Sequence, residues 1–207
     1  MSAVPLHTLP PRAAYTSEPI FRLTVDQYHG LIDAGTLTED DPVELLEGIL
    51  VFKMPKNTPH TTSTKLGIGE FVRRLPTGWH YQSQDPITLG DGEPEPDGAV
   101  VRGAATDYMG KHPGPADVAL VIEIADSSLE RDRGIKLRSY ARAGIVAYWI
   151  VNLSDCQIEV YSDPIAPAGG EPTYARRAVH RVGEEIPLDL PGHGRVVIPA
   201  AALLPPS

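Results

Sequence analysis

The chain has 207 residues, 42% of them hydrophobic, and a formal charge of −9. That is enough apolar material for one sizeable core, and the charge argues against a protein that coats nucleic acid through a broad cationic surface. Cys156 is the only cysteine and the seven histidines lack metal-ligand spacing, which excludes a disulfide framework and a thiolate zinc cage. No apolar stretch approaches the ~20 residues that cross a bilayer, and the first residues lack the pattern of a signal peptide, so a cytoplasmic protein with no membrane partner is expected.

The 21 prolines point to long irregular connections rather than a tight helical bundle. Residues 1–20, with Pro5, Pro10, Pro11 and Pro19, read as a flexible N-terminal arm. Thr24 caps a short helix in which Val25, Tyr28, Leu31 and Ile32 recur at helical intervals up to Gly35. VELLEGILVF is a β-hairpin turning at Glu47-Gly48. Thr58 and Pro59 start a second helix as cap and first residue, and Pro76 ends it.

WHYQSQDPITL reads as a strand, GDGEPEP as a solvated acidic loop, and DGAVV as a short buried strand. DVALVIEIA is apolar and β-branched throughout, as in a central strand covered on both faces. Ser127 and Glu130 have capping-box spacing, and the helix they open runs to Gly144. IVAYWIVNL is a further buried strand, in which Tyr148 and Trp149 are core, and QIEVYS an alternating neighbour. The strand-helix-strand order implies a parallel pair. Short strands around YARRAVHRV and GRVVIP complete the chain.

Charge is uneven along this path. Residues 126–145 carry five basic and three acidic groups and form the one net-positive segment among the four into which the chain divides at 60, 125 and 145. It begins three residues after Glu123, a carboxylate inside the most apolar strand, where an unpaired charge is costly. Glu123 either lies at the strand's C-terminal end, half solvated or paired with a local Arg, or is a ligand of a hard divalent cation, which takes oxygen donors. Asp97, at the start of a strand running beside it, supplies a second carboxylate if the two strands are adjacent, and is otherwise a turn residue.

The ordered set of Pro96-Asp97, a strand with Glu123, then RDRGIKLRSYARAGI and YWIV, resembles the PD-(D/E)XK restriction-endonuclease-like superfamily. Together with ELLEGILV and MPKNTPH it is similar to a family described as putative restriction endonucleases, over residues 20–162 or so. The resemblance implies an α/β (α+β) fold: a restriction-endonuclease-like core with a central mixed sheet flanked by helices, and extra C-terminal strands. Residues 21–207 would be a single domain, with core 21–162 and a β extension over 163–207. In the superfamily pattern a Lys stands two positions after the Glu, and here that position is Ala125. The resemblance puts the Lys on the next helix, at Lys136, which is otherwise a solvent-facing helical Lys.

The catalytic set it implies is Asp97, Glu123 and Lys136. Glu44 is a possible third metal carboxylate beside Asp97 and Glu123, and His60 a possible phosphate contact or supporting residue. Arg133 and Tyr140, spaced i−3 and i+4 from Lys136, would reach substrate phosphate from the same helix face, with packing the other and more ordinary role for Tyr140. The implied cofactor is Mg²⁺ or Mn²⁺, the substrate DNA, and the assembly a homodimer aligning two sites. Ala125 and the acidic balance also admit a catalytically weak or inactive nucleic-acid-binding or interaction module, or a hydrolase of another phosphate-containing substrate.

Overall fold

The computed structural model describes residues 19–38 and 40–206, so all but the last two residues of the expected N-terminal arm lie outside the described residues. Helix α1, Val25–Asp33, opens on a capping box between Thr24 and Gln27, and Gly35 follows it at φ +65°. β1, Val43–Leu46, and β2, Ile49–Phe52, pair as a two-stranded hairpin. Glu47 and Gly48 both take positive φ (49° and 74°), as a two-residue turn matched to strand twist requires. Gly48 is required there a second time, because a Cβ would stand 2.6 Å from that of Arg22.

Helix α2, Thr58–Arg74, is capped by Asn57 rather than Thr58, because the Asn57 side chain accepts the backbone N–H of His60. Pro59 occupies the first turn, as expected. The strand expected over residues 79–89 is shorter, β3 spanning only Trp79–Gln82.

A six-stranded sheet is the spine of the molecule. It comprises β3, β4 (Gly98–Arg102), β5 (Val118–Ala125), β6 (Ala147–Asn152), β7 (Gln157–Ile165) and β8 (Thr173–Arg181), in that order across the sheet. Only β5 and β6 run parallel; the other neighbours are antiparallel. All eight residues of β5 are buried, as befits an interior strand. β8 thus joins the central sheet. β9 (Glu185–Leu190), not anticipated from the sequence, pairs with β10 (Gly194–Pro199) in a separate hairpin.

Strand alternation divides the core in two. Leu120, Ile122 and Ile124 of β5 pack with Phe71, Trp149, Leu188 and Ile198 on one side. Val121 and Ala125 pack with Leu137, Tyr140 and Tyr148 on the other. Glu123 shares the parity of Val121 and Ala125 and therefore faces this second layer. So does Glu159, because Glu123, Ile150 and Glu159 stand in register across β5, β6 and β7.

The crossover from β5 to β6 covers that face, and it is not the uniform helix expected. Leu129–Arg131 forms one short turn (α3), Asp132–Lys136 a π-helical turn, and Leu137–Arg142 the helix α4, with Gly134 at non-helical φ −104°, ψ −106°. The expected Ser127/Glu130 capping box is absent: the cap position is Ser128, whose hydroxyl donates to Asp132 at 2.6 Å.

Candidate active site

A polar pocket opens at the C-terminal end of β5, between the β2–α2 loop, the start of α2 and the crossover. Glu123, Asp97, Lys136, Glu44 and His60 all line it. Asp97 enters because β4 pairs with β5, Gly98 lying opposite Ile122. Its Oδ2 accepts the backbone N–H of Ile124 at 2.9 Å and a ring N–H of His60 at 3.0 Å. The other ring nitrogen of His60, Nδ1, is buried without a partner among the described residues.

Lys136 supplies the cation. Its Nζ donates to Glu123 Oε1 at 2.8 Å and lies 3.2 Å from Glu44 Oε2, with the residue 5% exposed. The Tyr140 hydroxyl donates to the same Glu123 oxygen at 2.6 Å. Burial pushes the Glu123 carboxyl up to about 8 although Lys136 pulls it down. Burial also opposes the Lys136 charge, but Glu123, Glu44 and Asp132 outweigh it and hold the ammonium protonated above the usual lysine range.

The site departs from expectation at several residues. Glu44 is engaged by protein groups on both oxygens: it is 3% exposed, and Arg131, Lys136 and the backbone N–H of Glu95 all reach it. Arg133 and Lys136 do not share a face, because the π-turn and Gly134 rotate them apart; Arg133 forks onto Glu159 instead of lining the pocket. Tyr140 is fully buried and holds Glu123, so it meets no substrate phosphate.

The acidic loop is likewise not solvated throughout. Glu93 is 4% exposed and bonds His29 and Thr88, while Glu95 pairs with Lys53. Glu47, in the hairpin turn, is clamped by Arg138 and Arg142. Asp132, which the sequence reading passed over, lines the pocket at 3% exposure, its carboxyl pushed up to about 6 by burial. Its signal was present: an acid one helical turn before Lys136 in the single basic segment.

Asp97 Oδ1 and Glu123 Oε2 have no protein donor among the described residues, so each carboxylate keeps one oxygen for the pocket. An oxygen-only pair of this kind suits a hard divalent cation that completes its shell with water or phosphate. Among the described residues no group of three or more His, Cys, Asp and Glu is arranged around a metal position.

A family model for Uma2, described as "Putative restriction endonuclease", matches residues 25–199. No curated protein matches. A crystal structure described as a "putative nuclease belonging to DUF820" from Anabaena variabilis superposes with TM-score 0.62 at 15% identity, covering 84% of this chain and 96% of that one. That likeness is one of fold: a central mixed sheet flanked by helices, with extra strands at the C-terminal end. With the model spanning most of its length, the chain belongs to the Uma2 family of restriction-endonuclease-like proteins.

Proposed function

We propose that the chain is a divalent-cation-dependent endonuclease hydrolysing phosphodiester bonds of DNA, with Asp97 and Glu123 holding Mg²⁺ or Mn²⁺ and Lys136 as the catalytic cation. The observation that carries this reading is the position of Lys136 Nζ, 2.8 Å from Glu123 in the pocket shared with Asp97. A lysine from the crossover thereby stands in for the one absent at Ala125.

When bound, the divalent ion would lower the pKa of a coordinated water and offset charge on the scissile phosphate. Lys136, held protonated by its carboxylate neighbours, donates hydrogen bonds to an attacking oxygen or a phosphate oxygen; it orients and stabilises rather than removes the proton. Tyr140 and the backbone N–H of Ile124 fix the two carboxylates, and His60 holds Asp97 from the other side.

The test is cleavage of single- and double-stranded DNA and RNA with Mg²⁺ or Mn²⁺, beside Asp97→Ala, Glu123→Ala and Lys136→Ala. Removing either carboxylate abolishes both cleavage and cation binding. Lys136→Ala lowers cleavage by roughly 10²–10³-fold and leaves calorimetric Mn²⁺ binding in place. Wild type and variants behaving alike would refute the reading. One observation favours the alternative, a non-catalytic module: Lys136 is already paired with both Glu44 and Glu123.

A further inference from the structure

One buried carboxylate of the pocket is neither an ion-pair partner among the described residues nor one of the two proposed cation ligands. Asp132 lines the pocket at 3% exposure, and its Oδ2 accepts the Ser128 hydroxyl at 2.6 Å. Its Oδ1 has no donor among the described residues and is not sealed inside the protein, so it opens to the pocket. Asp132 begins the π-helical turn that ends at Lys136, and the Tyr148 hydroxyl pins its carbonyl from β6 at 3.0 Å. Turns of this kind recur at functional sites. Here the turn sends Arg133 to Glu159 while Asp132 and Lys136 both stay on the pocket.

We infer that Asp132 is the proton acceptor for the attacking water. This role rests on the nuclease reading above and fills a gap in it, because Lys136 is held protonated and cannot take a proton. As the water oxygen bonds to phosphorus, its proton passes to Asp132 Oδ1; the bond from phosphorus to the leaving oxygen breaks, and that oxygen takes a proton from solvent. The pocket holds about 70 Å³ of space, room for a few waters. Asp97, Glu123 and Asp132 each open one oxygen onto it, so a water drawn to the first two has Asp132 as its free acceptor. The other bases are occupied or out of reach. His60 gives one ring nitrogen to Asp97 and has the other sealed in the protein. Glu44 is held by Arg131 and Lys136, Glu95 pairs with Lys53, and Asp126 is exposed and bonded to Asn57. The charges around Asp132 are Asp97 and Glu123 from the sheet and Arg131 and Lys136 from the crossover. Burial pushes its carboxyl up to about 6 against Lys136 and the Ser128 hydrogen bond, a range suited to accepting a proton near neutral pH.

The experiment is single-turnover cleavage of labelled single- and double-stranded DNA with Mn²⁺, comparing wild type with Asp132→Asn, which keeps the shape and can still accept the Ser128 hydroxyl. Asp132→Asn lowers the rate by about 10²–10⁴-fold and leaves calorimetric Mn²⁺ affinity unchanged. In metal-free buffer at pH 7 it melts at or above the wild-type temperature, because a carboxyl raised by folding costs stability once it is ionised. Asp132→Ala is slow as well, and added formate, a carboxylate small enough for the space left, recovers part of its rate. Ser128→Ala removes the hydrogen bond that lowers the Asp132 carboxyl and moves the acid limb of the pH–rate profile upward.

Cleavage by Asp132→Asn at the wild-type rate overturns this role and leaves the nuclease reading standing. So does a loss of Mn²⁺ binding in that variant, which makes Asp132 a cation ligand, and so does an Asp132→Ala rate that formate leaves unmoved. A defect that vanishes on a substrate with sulfur in place of the leaving oxygen makes Asp132 the acid for the leaving group and overturns the role too. If Asp132→Asn does not fold, Ser128→Ala decides, an unmoved acid limb overturning it. A wild type that binds Mn²⁺ but cleaves neither DNA nor RNA removes both readings.

Discussion

Glu159→Gln is the substitution with the most legible outcome, because it removes a charge far from solvent and leaves the shape of the side chain. The Glu159 side chain is fully buried, and its oxygens accept from Arg133, Tyr161 and Asn152, with Arg177 3.1 Å away. Burial alone would push this carboxyl up, but the hydrogen bonds from Arg133, Tyr161 and Asn152 hold it down at about 2, against 4.5 in an unstructured chain. At about 1.4 kcal/mol per pH unit, that interval amounts to about 3 kcal/mol of stability. A depressed carboxyl contributes in full above its unfolded value and loses its contribution as pH falls through its folded value. Glu159→Gln is therefore about 3 kcal/mol less stable than wild type at pH 7, and the gap narrows from about pH 4.5 toward pH 2. For a chain of this length the pH 7 gap lowers Tm by roughly 6–12 °C. Urea unfolding of both proteins at pH 7, 5 and 3 measures the gap directly. A gap below about 1 kcal/mol at pH 7, or one that does not shrink on acidification, refutes the assignment of Glu159 as a charged anchor.

Tyr140→Phe removes the hydroxyl that fixes Glu123 and lowers stability by about 1–2 kcal/mol, read as a fall in urea midpoint at unchanged m-value; if Tyr140 is a positioning residue, cleavage falls with Mn²⁺ affinity retained. His60→Ala frees one side of Asp97 and weakens Mn²⁺ binding by about 10-fold or more with little change in unfolding midpoint, as measured by calorimetry and thermal melting. Gly98→Ala drives a Cβ to within 1.8 Å of the Tyr81 hydroxyl and destabilises by about 1–3 kcal/mol; Tyr81→Phe combined with it recovers part of the loss in the same melt.

What could be read from the sequence was what local periodicity encodes. β5 announced itself by eight residues without a polar break except Glu123, and the anomaly of that one carboxylate pointed at the site. The hairpin at Glu47-Gly48 and the cap at Thr24 were legible because a turn and a cap depend on two to four neighbouring residues. Partners distant in sequence were not. In QIEVY the polar positions look solvent-facing, yet Gln157 and Glu159 are both buried, and Arg133 of the crossover reaches over to Glu159. Glu93 looked like part of a wet loop because His29, its partner, is 64 residues away. Lys136 was reachable only through family resemblance. Arg133 was misplaced because helical spacing presumes 3.6 residues per turn, and Gly134 breaks that count between Arg133 and Lys136; Tyr140 does share a face with Lys136, but both point inward to Glu123.

The register that puts Glu123, Ile150 and Glu159 in one row has a consequence for when the site comes into being. Glu123 and Glu159 stand two strands apart, about 10 Å, and the π-turn bridges them, Lys136 riveted to the first and Arg133 to the second. The Arg133 rivet cannot close until β7 has added to the sheet beside β6, whereas the Lys136 rivet needs only β5 and the crossover. A chain folded only as far as β5 holds Asp97 and Glu123 without their cation, and one folded to β6 has the crossover fastened at one end only. The crossover is therefore tied down in two steps, the pocket's ammonium first and the far end of the π-turn only when the sheet grows past β6.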